Sequence, residues 1–211
     1  MTWRQPLDDY RLSDRYGDKE PPRTSSHRGT DYVGDKKELV RAVNDGEIID
    51  IYWSNCLGWV CAVRIDGSDW VFSYCHLNCH THGTRCSGVK AHADGSNCMK
   101  NLAVGDKVKS GQPVGRQGNS GSCSRGDHLH LVQGKSRRSA VSGKTWDAYK
   151  YIEKQMKRES DERLQGQKEE VTESPQKPEP KASDVTTPEK TKNLPKSVLE
   201  ALRVITAWFS K

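Results

Sequence analysis

Between residues 47 and 132 the chain carries short β-type runs of four to seven residues, several of which alternate apolar and polar positions. The runs are Glu47–Trp53, Trp59–Ile65, Trp70–His76, Gln112–Gly115 and His128–Val132. A period of two places alternate side chains on opposite faces of a strand, so the alternating runs predict half-buried strands of an antiparallel sheet. Turn signals separate them: Asn44-Asp45-Gly46, Asp66-Gly67, Asp94-Gly95 and Asn119-Ser120-Gly121. Helical signal is confined to Trp146–Lys157, which would close the domain. The prediction is a mainly β domain (β-rich α+β) over residues 1–156, an antiparallel sheet with few helices.

The pattern changes after residue 156. Residues 157–194 mix opposite charges and carry Pro175, Pro178, Pro180 and Pro188. Such a stretch buries too little apolar surface to offset its ordering entropy and reads as a flexible charged linker. Its first part, through about Gln167, extends the charged helical pattern. In residues 195–211, Val198, Ala201, Leu202, Ile205, Trp208 and Phe209 share one helical face behind Pro195. This predicts a short amphipathic helix that docks on the body of the protein or on a second copy. A wall, partner or membrane interface is the other destination.

Composition agrees with a domain plus an appendage. Of 211 residues, 33% are hydrophobic and 29% charged, too polar for the whole chain to pack around one core. No run approaches the ~18 apolar residues of a membrane span, and the N-terminus shows no apolar signal segment. That pattern argues against an integral membrane protein and against a conventionally secreted one, and the expected location is the cytoplasm of the cell that makes it. A net charge of +6 would help the protein approach anionic polymers, nucleic acid or cell wall alike. Seven cysteines cannot all pair within one chain, and they are expected to be mostly reduced thiols, with a minority as metal ligands.

Three histidine features carry candidate chemistry. His27-Arg28-Gly29-Thr30-Asp31 places a histidine and an aspartate four apart, able to converge on one cation from a helix or a turn. His128-Leu129-His130 puts two imidazoles on one face of a strand with Leu129 turned to the core. Tyr74-Cys75-His76-Leu77 ends a strand with a further histidine. Singly each is weak. Together, and in order with Val104-Gly105-Asp106-Lys107-Val108 to Gly115 and with Gly118-Asn119-Ser120-Gly121, they resemble the lysostaphin-type zinc metallo-endopeptidases that cut peptidoglycan peptides. The likeness runs from about Asp9 to Ile152.

That resemblance implies a groove floored by an antiparallel sheet. It implies zinc bound by His27, Asp31 and His130, with His76 and His128 flanking the attacking water as proton carriers or transition-state stabilisers, their roles interchangeable. Three protein ligands leave one tetrahedral position open, the pattern of a catalytic site. The substrate implied is bacterial peptidoglycan, in its stem peptides or cross-bridges. The linker, the tail and the missing signal resemble a bacteriophage endolysin, which waits in the host cytoplasm and reaches the wall once the membrane is breached.

Departures from the family pattern are confined. Asp127 stands where relatives usually have Pro, and in a strand it would point away from the site. Residues 78–101 form an insertion that reads as a Gly-containing groove-lining loop; a second, structural zinc on Cys75, Cys79, His80, His82, Cys86 and Cys98 is the alternative. Tyr16 and Tyr32 are both candidates for the tyrosine that some relatives place near the zinc. Two other functions compete: an inactive wall-binding or activator module, argued against by the five intact positions, and a Cys/His zinc protein binding nucleic acid, argued against by the near-neutral linker and the lack of a basic-aromatic stripe.

Overall fold

In a computed structural model of the chain, residues 2–21, 24–35, 38–78 and 102–172 are described. Nine strands are present in these residues: β1 (Arg11–Asp14), β2 (Thr30–Val33), β3 (Leu39–Arg41), β4 (Gly46–Ser54), β5 (Gly58–Ile65), β6 (Val71–Leu77), β7 (Lys107–Val108), β8 (Pro113–Arg116) and β9 (Leu129–Gly134). A single helix, α1, spans Ala148–Thr172. Seven strands form one antiparallel sheet in the order β1-β2-β9-β6-β5-β4-β7, and β3 pairs with β8 in a second, two-stranded sheet. The five predicted runs fall within one or two residues of β4, β5, β6, β8 and β9. Strands β1, β2, β3 and β7 have at most four residues each, too short for alternation to declare them.

Alternation decides which face each residue joins. Tyr32 of β2, Phe72 and Tyr74 of β6, and Leu129 and Leu131 of β9 enter the main core, with Trp3, Val40, Val114 and Ile152 of α1. On the opposite face, Tyr52, Leu57, Val60, Cys75, Val132 and Ala140 form a smaller cluster. The sheet therefore carries an apolar layer on both sides, and the candidate residues lie beside the smaller one.

The helix is started by Asp147, whose carboxylate accepts a hydrogen bond from the Lys150 amide at 3.1 Å, an N-cap that satisfies one orphan donor. Its buried positions, Ala148, Ile152 and Gln155, recur at helical spacing. Edge-to-face ring contacts of Trp3 with Phe72 and with Tyr151 seal it onto the core. Glu159 of α1 also accepts a bond from the Trp3 amide, at 3.0 Å. The backbone thus stays helical past residue 156, where the linker was expected to begin, and past Gln167. Residues 173–194 and the tail 195–211 lie outside the described residues.

The cysteine expectation needs correction. Cys56 and Cys123 form a disulfide rather than reduced thiols. It joins the turn after β4 to the loop before β9, where two backbone bonds run beside it: Ser122 N–H to Asn55 O at 2.8 Å and Cys123 N–H to Cys56 O at 3.1 Å. Cys75 keeps its thiol, fully buried in the smaller cluster. Its proposed zinc-binding companions Cys79, His80, His82, Cys86 and Cys98 lie outside the described residues.

A cross-link between residues 67 apart removes much of the freedom of the unfolded chain, a contribution on the order of 2–4 kcal/mol. Reduction, or replacement of both cysteines by serine, should lower the thermal midpoint by roughly 5–15 °C in calorimetry. An unchanged midpoint would show that the bond contributes no stability.

Candidate metal centre

His27 sits in the segment leading into β2, and Asp31 in β2 itself, so the pair does not converge from a helix or turn as expected. The cause is local. Thr30-Asp31-Tyr32-Val33 is extended because it pairs with β9, with Asp31 directly opposite His130. Tyr32 faces the core, so Asp31 must face away from it, and Leu129 and Leu131 turn His130 the same way. Gly29 lets the approach close up: a Cβ there would lie 2.6 Å from the His130 ring and 2.7 Å from Leu131 O.

Three donor atoms meet. His130 Nδ1 lies 2.7 Å from Asp31 Oδ1 and 3.0 Å from His27 Nε2, and His27 Nε2 lies 3.3 Å from Asp31 Oδ1. All three residues are buried. Ligand atoms about 2.0–2.1 Å from a tetrahedral zinc would stand roughly 3.3 Å apart. The His27 tautomer sharpens the fit. Its Nδ1 lies 3.0 Å from Arg15 O, a carbonyl that can only accept, so Nδ1 carries the proton and Nε2 a lone pair. A lone pair and a carboxylate oxygen thus face each other at hydrogen-bond range, with only His130 Nδ1 able to donate to either. A cation satisfies all three atoms at once. Among the described residues no other group of His, Cys, Asp and Glu converges in this way.

His76 reaches the site through a β-bulge. Tyr74 pairs with Cys61 and Leu77 with Trp59, so Cys75 and His76 together oppose Val60. Strict alternation would have put His76 on the core face with Phe72 and Tyr74; the extra residue sends Leu77 there instead. His76 itself takes φ +58°, the left-handed region, at a cost of order 1–3 kcal/mol for a non-glycine residue. Its Nδ1 donates to Ser120 O at 2.8 Å. His128, just before β9, bridges Gly118 and donates Nδ1–H to Gly126 O at 2.9 Å, leaving Nε2 3.8 Å from Asp31 Oδ2. The His76 ring lies 4.7 Å from that of His128 and 5.7 Å from that of His130.

The Gly118-Asn119-Ser120-Gly121 segment orients both rings. Gly118 O accepts the His128 amide at 3.0 Å and Ser120 O the His76 ring. Asn119 Oδ1 takes the Gly126 amide at 3.0 Å and the Ser124 hydroxyl at 2.6 Å, which holds the turn carrying Gly126 O. These positioning residues were visible in the sequence only as a turn signal and part of the family pattern.

Electrostatics favours the ligand forms. Burial opposes the Asp31 charge, but the hydrogen bond from His130, with the His27 ring close by, outweighs it and holds the carboxyl well below its ordinary range. Burial, with His130 and His128 close by, drives His76 down to about 3. Burial also lowers His130 despite its bond to Asp31. The result is an ionised carboxylate beside neutral His76 and His130 at neutral pH, and these are the protonation states that metal binding requires.

Two expectations fail at the rim. Asp127 is not part of a strand; it lines a chamber next to His128 and Asp31. Neither tyrosine joins the metal group: Tyr32 is buried in the core with its hydroxyl on Gln5 Oε1 at 3.0 Å, and Tyr16 donates to Thr145 O at 2.7 Å.

No family model matches the chain. Solved structures do. The catalytic domain of lysostaphin, an antimicrobial peptidase from Staphylococcus simulans, is 23% identical with a TM-score of 0.52, over 68% of this chain and 92% of that one. Full-length lysostaphin is 24% identical with a TM-score of 0.53, over 72% of this chain and 53% of that one. A zinc-containing peptidase from Vibrio cholerae is 21% identical with a TM-score of 0.50, over 70% and 39%. The chain has the fold of the lysostaphin catalytic domain.

If these three side chains hold one ion, the purified protein should carry one zinc per chain by elemental analysis. Asp31→Ala and His130→Ala should each lose most of it on dialysis, because a missing ligand exposes the ion to water. A His130→Ala protein that retained a full equivalent would contradict the assignment.

Proposed function

We propose that the protein is a zinc-dependent endopeptidase that hydrolyses peptide bonds in bacterial peptidoglycan, in stem peptides or cross-bridges. The observation that carries the reading is the convergence of His27 Nε2, Asp31 Oδ1 and His130 Nδ1 within 3.3 Å of one another, beside two further imidazoles in an open cleft. The lysostaphin fold supports the substrate class.

When bound, zinc would polarise the scissile carbonyl and lower the pKa of water to about 7. The chain supplies the rest. His27, Asp31 and His130 would hold the ion, with Arg15 O and the β2–β9 pairing fixing their orientation. His76 and His128 line the cleft with Nδ1 protonated and anchored on carbonyls, so each has an unprotonated Nε2. Either nitrogen can accept the proton of the attacking water and return it to the leaving amine. The imidazolium formed in between can donate to the developing oxyanion. His128, nearer the rim, and His76, buried beneath it, divide these two tasks.

The proposal extends to a lytic role of bacteriophage type, supported by the resemblance of a single domain with a tethered basic tail to an endolysin: the enzyme waits in the host cytoplasm and meets the wall after the membrane is breached. Its basic charge would assist contact with anionic wall polymers and should do so less as salt rises.

Purified full-length protein should clear a turbid suspension of susceptible cell walls, stop with a chelator and resume with zinc. His76→Ala and His128→Ala should keep the metal yet lose about 10²–10⁴-fold in rate. Clearing that survives both chelation and the loss of His128 would overturn the proposal.

A further inference from the structure

The cleft is two chambers that share Asp31, His128 and Cys123, and they differ in chemistry. The first, about 410 Å³, is walled by serines and by Leu57, Ala140 and Val141. Its one arginine is already committed: Arg28 donates to Ser139 O at 3.2 Å, to Val141 O at 3.4 Å and to Gly143 O. The second, about 660 Å³, is lined by Arg11, Arg125, Asp14 and Asp127. Asp14 lies 3.7 Å from His27 Nδ1, behind a candidate ligand. The guanidinium groups of Arg11 and Arg125 make no hydrogen bond or ion pair with any described residue, and both side chains are exposed.

We infer that this asymmetry orients the substrate: the residue entering the Arg11/Arg125 chamber carries a free carboxylate, and the opposite chamber takes a small uncharged residue. This rests on the endopeptidase reading. Two arginines against Asp14, Asp31 and Asp127 leave the second chamber with no positive excess, so a polyanion gains little from its field. What it offers is directional: two planar forks of donors, matched to a carboxylate. The chamber borders Asp31 and His128, so a residue held there lies next to the bond being cut. A peptide of uncharged residues alone, such as an oligoglycine bridge, would leave both arginines without partners.

The test uses the zinc-loaded full chain and two synthetic peptides built on the bond that mass spectrometry of digested walls identifies. They differ only in whether the carboxyl group of the residue flanking that bond is free or amidated. The free form should have a KM about tenfold lower at similar kcat, the mark of uniform binding. Arg11→Gln and Arg125→Gln should each raise KM for the free form toward that of the amide while keeping one zinc per chain. Equal KM values in the wild type, or a preference untouched in both variants, would overturn the inference and leave the endopeptidase reading standing. Competition by soluble polyphosphate that disappears in the arginine variants would also overturn it, by showing that the chamber takes wall phosphate. If neither peptide is cut, the endopeptidase reading fails and the inference fails with it.

Discussion

The convergence of His27, Asp31 and His130 depends on the register of β2 against β9. Asp31 stands directly across from His130, and neither can turn inward, because Tyr32, Leu129 and Leu131 occupy the core face. A slip of one residue would turn Asp31 and His130 into the core face and the leucines out of it, so the hydrophobic core enforces the site's geometry. The buried carboxylate and imidazoles cost desolvation, and their mutual bonds repay it only while this register holds. His27 completes the set from outside the sheet, with Arg15 O setting its tautomer and Gly29 giving it clearance.

A second layer of constraints serves the other two imidazoles. His76 departs from alternation by a bulge and a left-handed backbone, strain that persists because its amide is held by Leu57 O at 2.8 Å and its ring by Ser120 O at 2.8 Å. His128 depends on a turn that Asn119 organises. Both rest on one loop, which the Cys56–Cys123 disulfide ties to the turn after β4. The cleft wall and the histidine supports are therefore one connected structure. Cys123 borders both chambers, placing the cross-link in the wall of the cleft.

Long strands and the core were legible in the sequence because apolar residues recur there between turn signals. One-sided burial was expected of the alternating runs, but β5, β6 and β9 are buried on both faces, since each is covered by an apolar layer on either side. The five candidate residues were legible as a set because their order and spacing resemble a known family, and their side chains lie near one another in the structure. What escaped reading was whatever arises between segments. Thr30–Val33 is a strand only because β1 and β9 lie on either side of it. The His76 bulge comes from its pairing with β5. Cys56 and Cys123 are 67 positions apart, and nothing local to either announces a partner. Asp127 was placed by strand logic in a segment that becomes a turn before β9, which is why it lines the cleft. The helix outran its apolar pattern because Asp147 caps its start and its later turns are exposed, needing propensity rather than burial.

Diffraction from crystals of the full chain at the zinc absorption edge tests the central claim most directly. The account predicts one anomalous peak about 2.0–2.2 Å from His27 Nε2, Asp31 Oδ1 and His130 Nδ1, with His76 and His128 beside it and not bound to it. A zinc-soaked crystal with no peak between those atoms, or a peak held instead by His76 and His128, would contradict it.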